Sequence, residues 1–427
     1  MEDAGAMGIW YGAVLCFVVA AAAGTLFRFG MLHDFPWGLV PGNLRHAHSH
    51  LMFFSWVTPA LMALWVHRLE GRLQDRRDRP RKRAGAMGRG GRLAAAEALV
   101  LGLLSFPFFL AAGYGRVAFL GAELPWATII SGVTMLAWYH YGAWYAGNRP
   151  GFSRTPSLGL FEVALLALGL ATAGAWGRAA LQFVGNGAPV LEELAVQLFL
   201  GAFTHGWMIV GTLGLAVASV EQGRGIELGA APWLLLAGLL GTSLVGSAGT
   251  VAKSLGAAFQ WGVGLSALAF AAGLGWCGWQ LARGLAASRL RVWLPFLSYL
   301  LLSAVSLALA AIPAVRLWAE RMGLYIVYLH VVALGAASVG LITAANEQWG
   351  KRAAPSPWVF GGLVALLLVG VLSLTPLWPG PGNPGRRLAF AAWTSIPPAA
   401  ACVLSLISGP ISERSLRWGK EKRAGLR

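Results

Sequence analysis

Apolar residues fall along this chain in long unbroken blocks, not in the two-residue alternation of an amphipathic strand. A membrane-spanning helix needs about 20 mostly apolar residues. Blocks of that kind lie at 7–30, 47–67, 93–114, 124–147, 157–184, 193–220, 231–252, 257–282, 291–317, 322–345, 357–375 and 388–408. The pattern predicts an all-α integral membrane protein of about twelve transmembrane helices, folded as a single polytopic domain over residues 1–427. The chain opens Met1-Glu2-Asp3, with neither a basic leader nor a small-residue cleavage site, so the first block reads as a retained span.

Composition narrows the classes further. Of 427 residues, 57% are hydrophobic and only 12% charged, against about 25% charged in a soluble domain. The 57 glycines and 20 tryptophans also suit a membrane setting, glycine within spans and tryptophan at the interfaces. The net charge of +16 raises the question of nucleic acid. Its basic residues, however, lie between the apolar blocks, which is the signature of membrane topology. The sequence therefore predicts lipid contact and no nucleic-acid partner.

The stretch Arg68–Arg92 carries Arg72, Arg76, Arg77, Arg79, Arg81, Lys82 and Arg83, and reads as a basic cytoplasmic loop. Arg149 with Arg154, Arg283 with Arg289 and Arg291, Lys351 with Arg352, and the basic tail 409–427 fall on the same side. The loop with Glu192 and Glu193 falls on the other. Both termini are thus expected in the cytoplasm, and the natural location is a bacterial inner membrane. Cys16, Cys277 and Cys402 each sit inside an apolar block, which argues against a disulfide framework or a zinc site. No C-x-x-C-H motif for covalent haem attachment occurs.

Against this apolar background the histidines stand out, because ionisable groups at membrane depth are costly. His46, His48 and His50 open the second block. His205 lies about 12 residues into the sixth and His330 about 8 into the tenth, or roughly 18 and 12 Å from the block ends at 1.5 Å per residue. Blocks two, six and ten are four apart, which points to three quartets of helices. Imidazole is a usual axial ligand to haem iron; the plainer role for each histidine is polar glue between helices. On a helix His46 and His50 share a face and His48 points away, whereas an extended chain would align all three. Glu97, Glu162, His67 and His140 lie toward the cytoplasmic ends of their blocks, as the start of a proton path or as residues reaching for headgroups.

Three motifs resemble the haem-copper oxidase superfamily catalytic subunit, nearest its nitric oxide reductase and high-affinity oxidase branch. The run His48-Ser-His-Leu-Met-Phe-Phe-Ser-Trp-Val-Thr-Pro59 is similar to the family's second span, with a Met, a Phe pair and a Pro after the histidine. Tyr328-Leu-His330-Val-Val-Ala-Leu-Gly335 is similar to the tenth span's H-x-H-x-x-x-x-G. Gly382-Asn-Pro-Gly-Arg386-Arg387 looks like the arginine pair that holds haem propionates. The resemblance implies twelve spans in three pseudo-symmetric four-helix arcs, with a low-spin b-type haem between His48 and His330. His50 competes with His48 as ligand. It also implies electron transfer, an electron-donating subunit such as a cytochrome c or cupredoxin domain, and reduction of oxygen or nitric oxide at a second centre.

That second centre departs from the family pattern. Tyr328 stands where the family has its active-site haem ligand, and 231–252 lacks the family's copper-binding histidines. What remains is Tyr328 as an axial oxygen ligand, or His205 with His46 or His50 as a reduced copper or non-haem iron site. His205 and Tyr328 are thereby the catalytic candidates. Two alternatives stay open: a non-enzymatic haem or metal sensor or assembly factor on the same fold, and a major-facilitator-like transporter. The transporter reading rests on Gly71-Arg-Leu-Gln-Asp75-Arg76, which resembles that family's G-x-L-x-D-R signature. Against it, the loop after the sixth block is only about nine residues long, where such carriers have a long central one.

Overall fold

A computed structural model describes residues 3–74, 81–184, 189–221, 226–247, 252–285, 287–351, 353–379 and 383–408. The protein is nearly all helical, 87%, and among the described residues nine helices are long and apolar enough to cross a membrane. In chain order these are α1 (Gly5–His33), α2 (Pro41–Arg72), α3 (Gly88–Ala112), α5 (Pro156–Leu181), α6 (Pro189–Glu221), α8 (Ser254–Gly284), α9 (Arg291–Ala310), α11 (Leu324–Trp349) and α13 (Pro384–Ser408). Between them come α4 (Trp126–Asn148), the shorter apolar α7 (Ala231–Ser243) and α12 (Pro357–Leu372), and the short amphipathic α10 (Pro313–Arg321). Helix thus underlies each of the twelve apolar blocks. The sequence places the end of the seventh block too late, since α7 stops at Ser243. An antiparallel hairpin, Val117–Phe119 with Ala122–Leu124, joins α3 to α4.

The basic stretch between the second and third blocks is mostly helix. Helix continues to Gln74 and begins again at Arg81. Arginine, lysine, glutamate and glutamine are good helix formers, and Glu70 pairs with Arg92 across the two helices. Residues 75–80, which include Asp75, Arg76, Arg77 and Arg79, lie outside the described residues, as do Gly382 and the tail 409–427.

Proline sets many of the helix starts: Pro41, Pro156, Pro189, Pro313, Pro357 and Pro384 each occupy a first helical position. There the missing N–H is no loss and the fixed φ suits the helix. The start of α5 is also capped from outside. The Glu221 carboxylate, at the far end of α6, accepts from the Ser157 backbone N–H and from the Ser157 hydroxyl at 2.7 Å. A negative charge at a helix N-terminus is stabilising. Glu221→Ala is therefore expected to cost about 1 kcal/mol, read as a lower melting temperature of the detergent-solubilised protein by circular dichroism. An unchanged melting temperature would mean that this cap contributes nothing.

The described helices fall into two compact units. The first comprises Met1–Trp144, Ile342–Leu363 and Pro384–Arg427. Its core is aromatic: Trp10 and Phe17 pack on Trp56 with ring centroids 5.4 and 5.3 Å apart, Trp349 and Phe360 extend the cluster, and the Trp10 indole donates to Ala353 O at 2.9 Å. The second unit comprises Tyr145–Leu341 and Val364–Asn383, and beside buried aromatics such as Trp207, Trp293 and Phe270 it has seams of small residues. A Cβ at Gly201 would stand 2.3 Å from Ser243 Cα, and one at Gly238 would stand 2.6 Å from Ser266 O. Backbones that approach so closely need glycine, the usual device where lipid supplies no hydrophobic drive.

Three helices share a further feature. Within α2, α6 and α11 the segments Leu51–Val57, Ala202–Val210 and Val331–Ser338 widen to π-helix. The Thr58 N–H reaches back five residues to Phe53 O, and the Val339 N–H to Leu334 O. Hydroxyls follow the same step: Thr58 Oγ1 donates to Phe53 O at 2.9 Å and Ser338 Oγ to Ala333 O at 2.7 Å. In α2 the cause is local, because Pro59 has no N–H to give and its ring crowds the carbonyl one turn back. In α6 and α11 the widening falls on glycine-bearing turns, with Gly201, Gly206 and Gly211 in one and Gly335 and Gly340 in the other. These three are also the most buried spans. Buried residues make up 83, 83 and 72% of their most apolar stretches, against 28–56% in the other six. Single π turns inside long helices recur at functional sites.

Candidate functional site

The head of α2 is regular helix, Pro41–His50. That resolves the geometry of its three histidines: His46 and His50 share one face and His48 takes the opposite one. His50 lies flat on Phe109, centroids 3.9 Å apart at 24°. Its Nε2 meets the Tyr114 hydroxyl at 3.0 Å and its Nδ1 meets Ser131 Oγ at 3.3 Å. His46 packs edge-on against Tyr114 at 4.6 Å. Both ring nitrogens of His50 are therefore engaged by hydroxyls.

His48 is held differently. Its Nδ1 stands 2.7 Å from Ala20 O of α1. A carbonyl only accepts, so Nδ1 carries the proton and Nε2 keeps its lone pair. Gly24 makes room for the ring, since a Cβ there would lie 2.8 Å from Cε1. Among the described residues no hydrogen bond reaches His48 Nε2. One turn further along α1, Arg28 donates from Nη1 to Gly24 O at 3.2 Å, and its charge acts on His48.

The Arg386–Arg387 pair lies in the first turn of α13, with Arg386 exposed and Arg387 half-buried. Cations in a first turn oppose the helix dipole, and no acid of α13 lies in that turn to offset them. α13 runs antiparallel along α1, with Thr25 Oγ1 2.9 Å from Ser395 Oγ and Phe29 packed edge-on against Trp393 at 5.3 Å. Arg387 precedes Trp393 by two turns, so along this pair of helices Arg28 stands between His48 and the arginine pair.

In the second unit, His205 lies within the π segment of α6 and is buried. Its Nδ1 stands 3.1 Å from Gly201 O, so its Nε2 accepts from the Tyr328 hydroxyl of α11 at 2.8 Å. Glu193, Gln197, Gly201 and His205 recur at every fourth residue, and the Gln197 amide donates to Glu193 Oε1 at 2.9 Å. These four positions share one face of α6, which leads from near its start to the His205–Tyr328 pair. His330, on the last turn before the π segment of α11, places Nδ1 2.8 Å from Ile326 O. The tautomer logic is the same: Nδ1 donates and Nε2 is the lone-pair nitrogen.

The remaining ionisable residues make local pairs. His140 Nδ1 stands 2.8 Å from Glu97 Oε2, and Glu162 accepts from Tyr145 at 2.9 Å and from Arg149. The bond to Glu162 holds the Arg149 guanidinium above its usual pKa. His67 packs near Trp349, centroids 5.5 Å apart. The His140–Glu97 pair, the Glu162 group and the His67–Trp349 contact are three separate places, and the described bonds do not string them into one path.

Among the described residues, no three His, Cys, Asp or Glu side chains converge to hold a metal ion. His205 and Tyr328 instead satisfy each other. The chain matches no protein-family model and no curated protein.

His48, His205 and His330 each carry the proton on Nδ1, the tautomer that ligation of a haem iron through Nε2 would need. Imidazoles that ligate metal usually donate their second nitrogen to a carbonyl or carboxylate, which fixes the tautomer and the ring. His48, His205 and His330 all have that arrangement, and in His205 the second nitrogen is already taken. Sequence reasoning missed Arg28, Tyr114 and Ser131. Arg28 left a signal, a lone cation inside the first apolar block. Tyr114 and Ser131 left none, because only the fold brings them to His50.

Proposed function

We propose that this integral membrane protein binds a low-spin b-type haem through His48 and His330 and works in electron transfer. The observation that carries the reading is the shared anchoring of these two imidazoles. Each lies just before a π-helical segment of a strongly buried span and gives Nδ1–H to a backbone carbonyl, His48 to Ala20 O of α1 and His330 to Ile326 O one turn back in its own helix. Bis-imidazole haem supplies one-electron chemistry without binding a further ligand. The chain's own part is to fix both rings and to neutralise the carboxylates. Ala20 O and Ile326 O hold the rings. Arg28 is the first cation beyond His48, with Arg386 and Arg387 behind it.

The proposal includes the finer architecture: twelve spans in three quartets, the second member of each carrying a π segment and a histidine. It takes the basic loops and both termini as cytoplasmic, in a bacterial inner membrane, with a cytochrome c or cupredoxin domain as electron donor. The family likeness to haem-copper oxidases and nitric oxide reductases extends this to reduction of oxygen or nitric oxide. The hydrogen bond between His205 and Tyr328 favours the second reading, a haem-binding sensor or assembly factor without a reducing centre. The transporter reading rests on the same sequence motif as before, whose Asp75 and Arg76 lie outside the described residues.

A reduced-minus-oxidised spectrum of the purified protein tests the proposal. A narrow low-spin b-haem band with about one iron per chain is the expected result. Protein that is folded, free of haem and unable to take up added haem would falsify it and promote the transporter.

A further inference from the structure

Arg316 is the fourth residue of α10, the short helix between α9 and α11, and it is only 5% exposed. Its Nε and Nη1 are buried and make no hydrogen bond among the described residues. Its Nη2 meets Gln260 O of α8 at 3.5 Å, the outer limit of such a bond. A guanidinium carries five N–H donors, so almost the whole group is unmet. No carboxylate among the described residues forms an ion pair with it; the nearest electrostatic partner is Glu320, one turn on. Burial holds its pKa below the usual arginine value and Glu320 pulls it back up.

The backbone adds to the imbalance. α10 opens at Pro313 with no side-chain cap and no acid in its first turn, so the positive end of its dipole lies beside the cation. Leaving a buried cation unpaired costs several kcal/mol, and an arrangement of this kind persists when a ligand supplies the missing acceptors. The surroundings indicate which kind. Ile312 at the start of α10, Trp318 within it and Trp261 next to Gln260 are 48, 46 and 57% exposed, apolar anchors of the kind that hold a helix in a membrane interface.

We infer that Arg316 is the anchor of an oxyanion site that takes a phosphoryl group, whose planar fork of donors matches two of its oxygens. The site stands apart from the haem proposal and does not depend on it. Two sources offer the same chemistry, the headgroup of an anionic phospholipid and free phosphate. The exposed apolar flanks favour the headgroup.

The test compares delipidated protein with Arg316→Met, which keeps bulk and loses the charge. Melting temperature is measured against dioleoyl-phosphatidylglycerol in mixed micelles, against dioleoyl-phosphatidylcholine, and against inorganic phosphate with chloride at equal ionic strength. The expected result is stabilisation of the wild type by phosphatidylglycerol at concentrations at least ten-fold lower than Arg316→Met requires, with no such gap for phosphatidylcholine. An Arg316-dependent response to phosphate but not to lipid would assign the site to a soluble phosphate. Without any anion, Arg316→Met is expected to be at least as stable as the wild type, since it removes an unmet buried charge. Equal responses of the two proteins to every anion would overturn the inference, as would a variant less stable by the same margin whether anion is present or absent. Should Arg316→Met fail to fold, Arg316→Lys carries the comparison. It keeps the charge but not the fork, and an affinity equal to that of the wild type would likewise overturn the site.

Discussion

His48→Ala is expected to abolish the low-spin haem band of the purified protein, while His50→Ala leaves it in place. The two histidines are two residues apart, yet the fold gives them opposite tasks. His50 spends both ring nitrogens on Tyr114 and Ser131 and one face on Phe109. His48 spends only Nδ1, on Ala20 O. His330→Ala should also abolish the band, and His67→Ala, beside Trp349, should not. Because removal of His48 empties a packed position, the companion variant is His48→Gly with added imidazole, in which the band should return. A band that survives His48→Ala and disappears in His50→Ala would reverse the assignment.

The largest loss of stability is expected at Gly201. A Cβ on this residue of α6 would lie 2.3 Å from both Ser243 Cα and Ser243 O of α7. The obstacle is backbone, which cannot rotate aside as a side chain does. Gly201→Val must therefore separate the two helices. Overpacking costs about 1–3 kcal/mol where side chains can adjust, so a loss of about 3 kcal/mol or more is expected here. Gly275→Ala in α8 is the control, because nothing lies within 4 Å of the added Cβ. At that site helix propensity should stabilise by up to about 1 kcal/mol. Thermal unfolding in detergent separates the two outcomes. A Gly201→Val protein as stable as the control would mean that the seam between α6 and α7 is loose.

Much of this architecture is legible in the chain because lipid imposes a simple rule: a long apolar block must be helix, since no other single segment satisfies its own backbone there. Helix therefore lies under all twelve blocks. The rule says little about where a helix stops once polar residues begin, so helix persists to Gln74 and resumes at Arg81 in a stretch that reads as loop. The sequence also left the arrangement of His46, His48 and His50 open between helix and extended chain. The regular turns from Pro41 to His50 decide it. The Tyr328–His205 bond was hidden for another reason. Two residues 123 positions apart carry no local signal of each other, so Tyr328 reads from sequence as a displaced ligand and not as a donor to imidazole.

The π segments leave no mark on composition or hydropathy, yet they govern which changes the chain tolerates. Each such turn holds one residue more than a regular one, and one residue corresponds to about 100° of helix rotation. Removing any single residue from Leu51–Val57 would leave an equally apolar, equally helical span. Because the wide turn already holds the extra residue, that deletion would close it to a regular turn and leave Pro41–His50 facing as before, with His48 on Ala20 and His50 on Tyr114. A one-residue deletion in the regular turns of α2 beyond Thr58 has no such reserve, and would turn all three histidines by about 100° against the rest of the helix.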